Sequence, residues 1–333
     1  MPDKTEPPSS EPIDQIRSMA TLPMGLSAAL ELEIFTVLSG GPMTAERIAS
    51  EIGVKPRRLE MLLLPLAVGE YLELDNGTFS NTAMSEHYLV KGKPAYLGGA
   101  HELWRSQWSA LMQTAQSIRT DTPQAKIDFG AMSRDELGGF LRGFHGASVA
   151  TGRALAENPV FASANAIVDI GGGSGGVSVG LCREHAHLRA TVADFLSVLE
   201  VTGDMIGEAG LRGRIDTVPA NIVEGPASGQ YDVAITRHLF QTMSVEHCQL
   251  AARNIAASMV SGGTLFVIGN ICDDTMLSPK QAVFQNVMFL NLYDAGQGYT
   301  ESQYRGWLED AGFAHITRES PVGGVGMIIA RKA

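Results

Sequence analysis

The densest run of chemistry-bearing residues is Val168-Asp169-Ile170-Gly171-Gly172-Gly173-Ser174-Gly175-Gly176. Gly171, Gly173 and Gly176 satisfy the pattern GxGxxG between a β-branched run, Ala166–Ile170, and a helix-compatible stretch. Glycines at such a strand-to-helix turn let the backbone reverse tightly and approach a ligand closely. Asp194 ends the next β-branched run, 23 residues beyond Gly171, where a carboxylate can accept from both hydroxyls of a ribose. A nucleoside cofactor is the expectation. Asp169, two residues before the first glycine, would repel a pyrophosphate and attract a cation. An adenosine carrying ammonium and sulfonium groups and no phosphate, as in S-adenosylmethionine, suits that field better than a dinucleotide.

The loop needs a sheet to hold it. After Asn158-Pro159, β-branched runs recur at Ala166–Ile170, Ala190–Asp194, Arg214–Pro219, Tyr231–Thr236, Thr264–Asn270, His315–Ser320 and Gly326–Arg331. Helix-compatible segments separate the first five, which predicts a parallel sheet with right-handed crossovers. Only Pro321-Val322-Gly323-Gly324-Val325 separates the last two, which should therefore pair antiparallel.

The first 150 or so residues read differently. Leu26, Leu30, Ile34, Val37 and Leu38 give one helical face over Met24–Leu38, stopped by Gly40-Gly41-Pro42. Thr44 is a candidate N-cap for a helix ending at Gly53, and Pro56 opens another through Leu66. Asp75-Asn76-Gly77 marks a hairpin. This is a winged helix-turn-helix pattern, with two readings. Lys55, Arg57 and Arg58 favour a DNA-binding regulator; the surrounding Glu46, Glu51 and Glu60, and the apolar Met61-Leu62-Leu63-Leu64, favour a packing or dimerisation module. Leu103, Trp104, Trp108 and Leu111 form a core-like stripe. A helix over Leu137–Leu155 carries Gly138, Gly139, Gly143, Gly146 and Gly152, implying close approach either to a ligand or to another helix.

Composition bounds the rest. The 333 residues are 44% hydrophobic and 18% charged, with formal net charge −11. That is core enough for about two domains, and the wrong sign for binding phosphate backbones. Cys182, Cys248 and Cys272 lack any metal-ligand spacing. No secretory or membrane-spanning stretch is legible, so no membrane partner and a cytoplasmic location are expected. The expected divisions are a disordered tail over 1–12, a winged-helix domain over 13–95, a helical linker with acceptor-site helices over 96–158 and a cofactor-binding domain over 159–333.

Further motifs carry a resemblance. Ser244-Val245-Glu246-His247-Cys248, Tyr299-Thr300-Glu301, Trp307-Leu308 and Ala311-Gly312-Phe313, with the glycine loop, resemble class I S-adenosylmethionine-dependent methyltransferases of the O-methyltransferase type. The resemblance runs from about residue 15 to the C-terminus. It implies an α/β fold: a Rossmann-like sheet with an antiparallel C-terminal hairpin, preceded by a mainly α winged-helix dimerisation domain, and a homodimer. It also implies that Asp169, Gly171 and Gly173 hold the methionine part and Asp194 the ribose, that Asn221 and Ile222 lie beside the adenine, and that Phe195 also binds the cofactor. Arg237, Phe144 and Ser148 would lie near the cofactor, and Met243 stands where a tryptophan packs on adenine.

The departure is catalytic. The family's histidine base falls on Gln241, and its flanking acids fall near Gly269 and Gly298; His238, three residues upstream, has two readings, a packed or solvated side chain ahead of a partial substitute. A phenol, of pKa about 10, needs a base to react near neutrality, and Gln is none. A thioether sulfur needs no deprotonation. The expectation is therefore in-line S-methylation of a thioether acid, resembling bacterial enzymes acting on 4-methylthio-2-hydroxybutyrate on the route to dimethylsulfoniopropionate. Gln241 and His145 would orient the acceptor, with Phe140, Arg142, Gln285, Met288, Phe289 and Tyr293 lining its pocket and Tyr299 a further polar contact. Alternatives are a phenolic or carbon acceptor, a non-methylating relative, or the DNA-binding regulator.

Overall fold

A computed structural model of the chain describes residues 9–93, 95–322 and 325–333. The chain divides into two compact units, Met1–Arg105 and Ser106–Ala333. Most of the expected 96–158 linker thus belongs to the unit that carries the sheet.

In the first unit, α1 (Glu11–Met19) begins within the expected tail, whose residues 1–8 lie outside the described residues. The single helix expected over Met24–Leu38 is two, α2 (Thr21–Glu31) and α3 (Ile34–Leu38). Glu33 between them has φ 53° and its carboxylate pairs with Lys91, so a long-range ion pair accompanies a break that has no local helix breaker. In α4 (Ala45–Ile52), Thr44 Oγ1 accepts from Arg47 N at 3.3 Å and Gly53 ends the helix at φ 71°. The next helix, α5 (Pro56–Val68), runs two residues past the expected end. β1 (Leu72–Asp75) and β2 (Thr78–Asn81) pair antiparallel across Asn76 and Gly77, whose φ of 46° and 80° fit the twist of a two-residue hairpin turn. Leu30, Ile34, Phe35, Ile48, Leu63 and Leu66 fill the core of this unit. α6 (Ala83–Tyr88) follows the hairpin, and α7 (His101–Leu111), which carries the Leu103, Trp104, Trp108 and Leu111 stripe, contains the division after Arg105.

The second unit adds α8 (Thr114–Thr120), α9 (Arg134–Leu155) and α10 (Val160–Ser163) before its sheet. The strands are β3 (Ala166–Ile170), β4 (Arg189–Asp194), β5 (Ile215–Pro219), β6 (Tyr231–Arg237), β7 (Met259–Gly269), then a short separate pair β8 (Ile271–Cys272) and β9 (Tyr299–Thr300), and finally β10 (Phe313–Val322) and β11 (Val325–Lys332). The seven-stranded sheet has the order β10-β11-β7-β6-β3-β4-β5. β3 to β7 are parallel, and β11 runs antiparallel to both β7 and β10. β7 begins at Met259 rather than Thr264. Of the expected turn between the last strands, 323–324 lie outside the described residues.

The strands alternate their side chains between two helical layers. Ile167, Val233 and Phe266 face α9, α10, α11 (Gly176–Glu184) and α12 (Leu196–Glu208). Val168, Ala234 and Leu265 face α13 (Val245–Ala257) and α16 (Glu301–Asp310). Between them in sequence lie α14 (Lys280–Phe284) and α15 (Asn286–Leu292). A Cβ on Gly152 of α9 would lie 2.2 Å from Val177 O, and one on Gly180 of α11 would lie 2.4 Å from Val149 O. At Gly152, then, the glycine of α9 serves helix-to-helix contact. No helix among the described residues is long and apolar enough to cross a membrane.

Candidate functional site

The glycine loop leaves the C-terminal end of β3, near the middle of the parallel sheet, where open α/β sheets hold ligands. Gly171, Gly173 and Gly175 have φ of 65°, 53° and 68°, a region that L side chains enter only with strain. Gly171 N donates to Ala193 O at 2.8 Å, tying the loop to β4. At the end of β4, Asp194 Oδ2 accepts from Gly173 N at 2.9 Å and Oδ1 from Phe195 N at 2.7 Å. Burial raises its pKa, against these two bonds. Each carboxylate oxygen keeps a further lone pair for a hydroxyl. Phe195 and Leu196 beside it are exposed.

Asp169 lies beneath the loop, fully buried. Its Oδ2 accepts from Ser178 Oγ at 3.2 Å, and Oδ1 has no partner among the described residues. Burial lifts its pKa to about 7. An orphaned buried carboxylate oxygen is the kind of group a ligand cation would compensate.

Arg237 ends β6. Its Nη1 donates to Ser148 Oγ and its Nε to Thr151 Oγ1, both at 3.3 Å, so α9 meets it with hydroxyls. Burial lowers its pKa, partly offset by Asp169. A guanidinium whose hydrogen-bond partners are neutral is suited to a carboxylate ligand. Ser148 Oγ in turn donates to Phe144 O at 3.0 Å. His145 sits against the loop, not at Gln241: its ring bonds the Ser174 backbone, its carbonyl would lie 2.9 Å from a Cβ on Gly176, and Nδ1 is buried without a partner. Burial, then Arg183 and Arg142, hold its pKa down.

Gln241 is buried in a short 3-10 turn, Phe240–Thr242, just after β6. Its Oε1 accepts from Asn270 N and Asn270 Nδ2, each at 3.1 Å. A backbone N–H can only donate, so the amide oxygen must be the atom facing it. His238 Nδ1 lies 3.3 Å from the same oxygen. A Cβ on Gly269 would lie 3.2 Å from Oε1, so the seat beside Gln241 has no side chain. Gly298 lies instead by Asn286 and Cys272.

The expected acceptor pocket is divided. Phe140 packs edge-on to Phe129 and Phe144, with ring centroids 5.5 and 5.2 Å apart. Met288, Phe289 and Tyr293 belong to a separate cluster with Ala110, Ala125 and Ile127; there burial pushes the Tyr293 hydroxyl up to about 12. Gln285 joins α14 to α15. Arg142 is not brought to either group: it makes a two-pronged pair with Glu208 at 2.8 and 2.7 Å on the surface. Tyr299 is buried and donates to Met243 O. Asn221 is taken up by a local turn, bonding Val223 N and Glu224, and Ile222 is in the core. Thr151, Asn270 and Ser178 belong to the site without any sequence signal, because each acts through a fold-dependent contact. No group of three metal-ligating side chains occurs among the described residues.

Comparison with known proteins places these features in a family setting. Residues 15–91 match the O-methyltransferase dimerisation domain and residues 110–314 the O-methyltransferase domain. The chain is 30% identical over 315 residues to the 3-hydroxy-5-methyl-1-naphthoate 3-O-methyltransferase of Streptomyces sahachiroi, covering 92% of this chain and 91% of that protein. It is 24% identical over 318 residues to an N,N-dimethyltransferase of Streptomyces rimosus, covering 91% and 92%. Human N-acetylserotonin methyltransferase, solved in complex with S-adenosylmethionine, shares the fold with a TM-score of 0.85, at 19% identity and covering 99% of each chain.

Proposed function

Because the chain belongs to the O-methyltransferase family, whose domain it matches over residues 110–314, we propose that it methylates a hydroxyl of an aromatic small molecule. The cofactor is S-adenosylmethionine, leaving as S-adenosylhomocysteine. The observation that carries this is the Asp194 carboxylate, held by the Gly173 and Phe195 N–H groups beside a loop of positive-φ glycines. Asp194 accepts from the ribose hydroxyls, and the exposed Phe195 offers an apolar face to the adenine. Arg237 and Ser148 receive the amino-acid carboxylate, and the uncompensated Asp169 favours its ammonium. The cofactor supplies a methyl group on a sulfonium, which leaves as a neutral thioether.

Oxygen ranks ahead of sulfur for a stated reason. The thioether expectation, with 4-methylthio-2-hydroxybutyrate as its example, rested on the absence of a proton acceptor at Gln241. His238 Nδ1 lies 3.3 Å from the oxygen of that residue, and its imidazole is a candidate acceptor that weakens the premise. The 30% identical relative is named for a hydroxynaphthoate, and Phe140 and Phe144 of α9, with Phe129 packed edge-on to Phe140, offer an apolar wall for a ring. Labelled S-adenosylmethionine with naphthols, phenolic acids and thioether acids tests the reading. Label in naphthols supports it; label in thioether acids and in no hydroxyl compound overturns it.

The first unit suits a second copy of the chain better than DNA. Leu59, Leu63 and Leu66 of α5 enter its core, while Met61, Leu64 and Val68 face outward. A would-be recognition helix thus presents apolar side chains. With exposed Ile13, Ile16 and Met19 on α1, these form surface that dimerisation would cover.

A further inference from the structure

Glutamine at the base position directs attention to what its oxygen holds. The Asn270 backbone N–H fixes Oε1 as the atom at the centre of the cluster. Oε1 cannot donate, so a hydrogen bond across the 3.3 Å to His238 Nδ1 requires the proton on that nitrogen. The ring is therefore the Nδ1–H tautomer, and its Nε2 bears the free lone pair. No hydrogen bond occupies that atom, and it is not fully sealed within the described residues. His238 itself has φ 58°, a costly conformation for a residue with a Cβ and one that concentrates at functional sites. It follows Arg237 directly, and Leu239 after it packs over Gly171, with Cδ1 2.9 Å from where a Cβ would be. The imidazole thus sits between the residue read as holding the cofactor carboxylate and the residue that covers the glycine loop.

We propose that His238 Nε2 takes the proton of the acceptor hydroxyl, with Gln241 as the positioning residue that fixes the tautomer; this rests on the oxygen reading above. The O–H proton passes to Nε2, and the pair freed on oxygen forms the new O–CH3 bond. The C–S bond breaks with its pair remaining on sulfur, and the imidazolium later returns its proton to water. Burial and Arg237 hold the imidazole down to about 4, so it is neutral near pH 7. The groups facing it from the turn and from the residue after β7, Gln241 and Asn270, are neutral, and Arg237 is the charged group acting on it. An imidazole with no carboxylate behind it is a weak base. The substrate class follows: aromatic hydroxyls acidified by electron-withdrawing groups, above unsubstituted phenols.

The test uses the full chain. In 15N-histidine NMR, with His238 assigned by its loss in His238→Gln, a bare Nε2 and protonated Nδ1 at pH 7 are expected, and mixed tautomers in Gln241→Leu. A protonated Nε2 at pH 7 overturns the proposal. In kinetics with an unsubstituted naphthol, His238→Gln should lower kcat/KM by about 10²- to 10⁴-fold and make it rise with pH as the acceptor ionises. A nitronaphthol, already ionised near neutrality, should keep wild-type kcat/KM. Equal loss on both acceptors, with cofactor affinity by calorimetry unchanged, marks a merely structural residue and overturns the proposal; so does no loss on either. Gln241→Glu should move the acid limb of the pH profile upward and Gln241→Leu should not. Wild-type enzyme that labels thioethers and no hydroxyl is a separate result: it removes the oxygen reading itself.

Discussion

A carboxylate that accepts from two backbone N–H groups can be replaced without opening the core, so the role of Asp194 is separable from folding. Asp194→Ala should weaken S-adenosylmethionine binding by at least about tenfold, since charge-assisted bonds are worth roughly 1.5–3 kcal/mol. Calorimetry checks it, and unchanged affinity would remove the ribose role. Asp169 gives a pH signature. Its folded pKa of about 7 lies above the ordinary 3.8 of an aspartate, so between those values the folded state holds a proton that the unfolded state has lost. Cofactor-free protein should therefore lose thermal stability as pH rises from about 4 to 7. Asp169→Asn should flatten that slope, and a melting series across the range decides it. At this scale the positions of the glycine loop and of Asp194 beside it are legible, because they follow from local spacing. Arg142 and Tyr299 were misplaced because their partners, Glu208 and the Met243 carbonyl, are distant in sequence. The approach of His238 to Gln241 depends on Asn270, 29 residues away, which orients the amide, and local spacing carries no signal of it.

Helix α9 is the element on which most of the site depends. It brings Ser148 and Thr151 to Arg237, sets the His145 carbonyl by Gly176, and carries Phe140 and Phe144. Its glycines are not equivalent. Gly152→Ala places a Cβ 2.2 Å from a carbonyl oxygen, and overpacking of this kind costs about 1–3 kcal/mol or more. Gly138→Ala meets only Val201 at 4.0 Å and should stabilise the helix by up to about 1 kcal/mol. Denaturant melts of the two variants should move in opposite directions. The sequence places a helix over Leu137–Leu155, whereas α9 begins at Arg134, behind a Ser133–Glu136 capping box absent from that reading. It could not separate ligand contact from helix contact among the glycines, because that depends on where α11 lies. Nor did it see the break at Glu33, where apolar spacing continues unbroken while Lys91 engages the carboxylate.

At the level of the whole molecule, alternation of strand and helix made the parallel sheet legible, and a short final connection made the antiparallel end legible. Strand order was not, because periodicity says which face a side chain takes and nothing about its neighbours. Self-association belongs to this scale. Ile16→Asp with Met61→Asp should shift the protein toward monomer in sedimentation velocity, and a wild-type chain that sediments as a monomer would remove the homodimer. The backbone contact at Gly152 and Gly180 also bears on the order of events in turnover. One helix braces the proposed nucleoside cradle at one point and presents phenylalanines at another, so filling the cradle should damp the wall. Aromatic guests would then dock second and depart first, and the spent nucleoside would be the competitive inhibitor against its own fresh form.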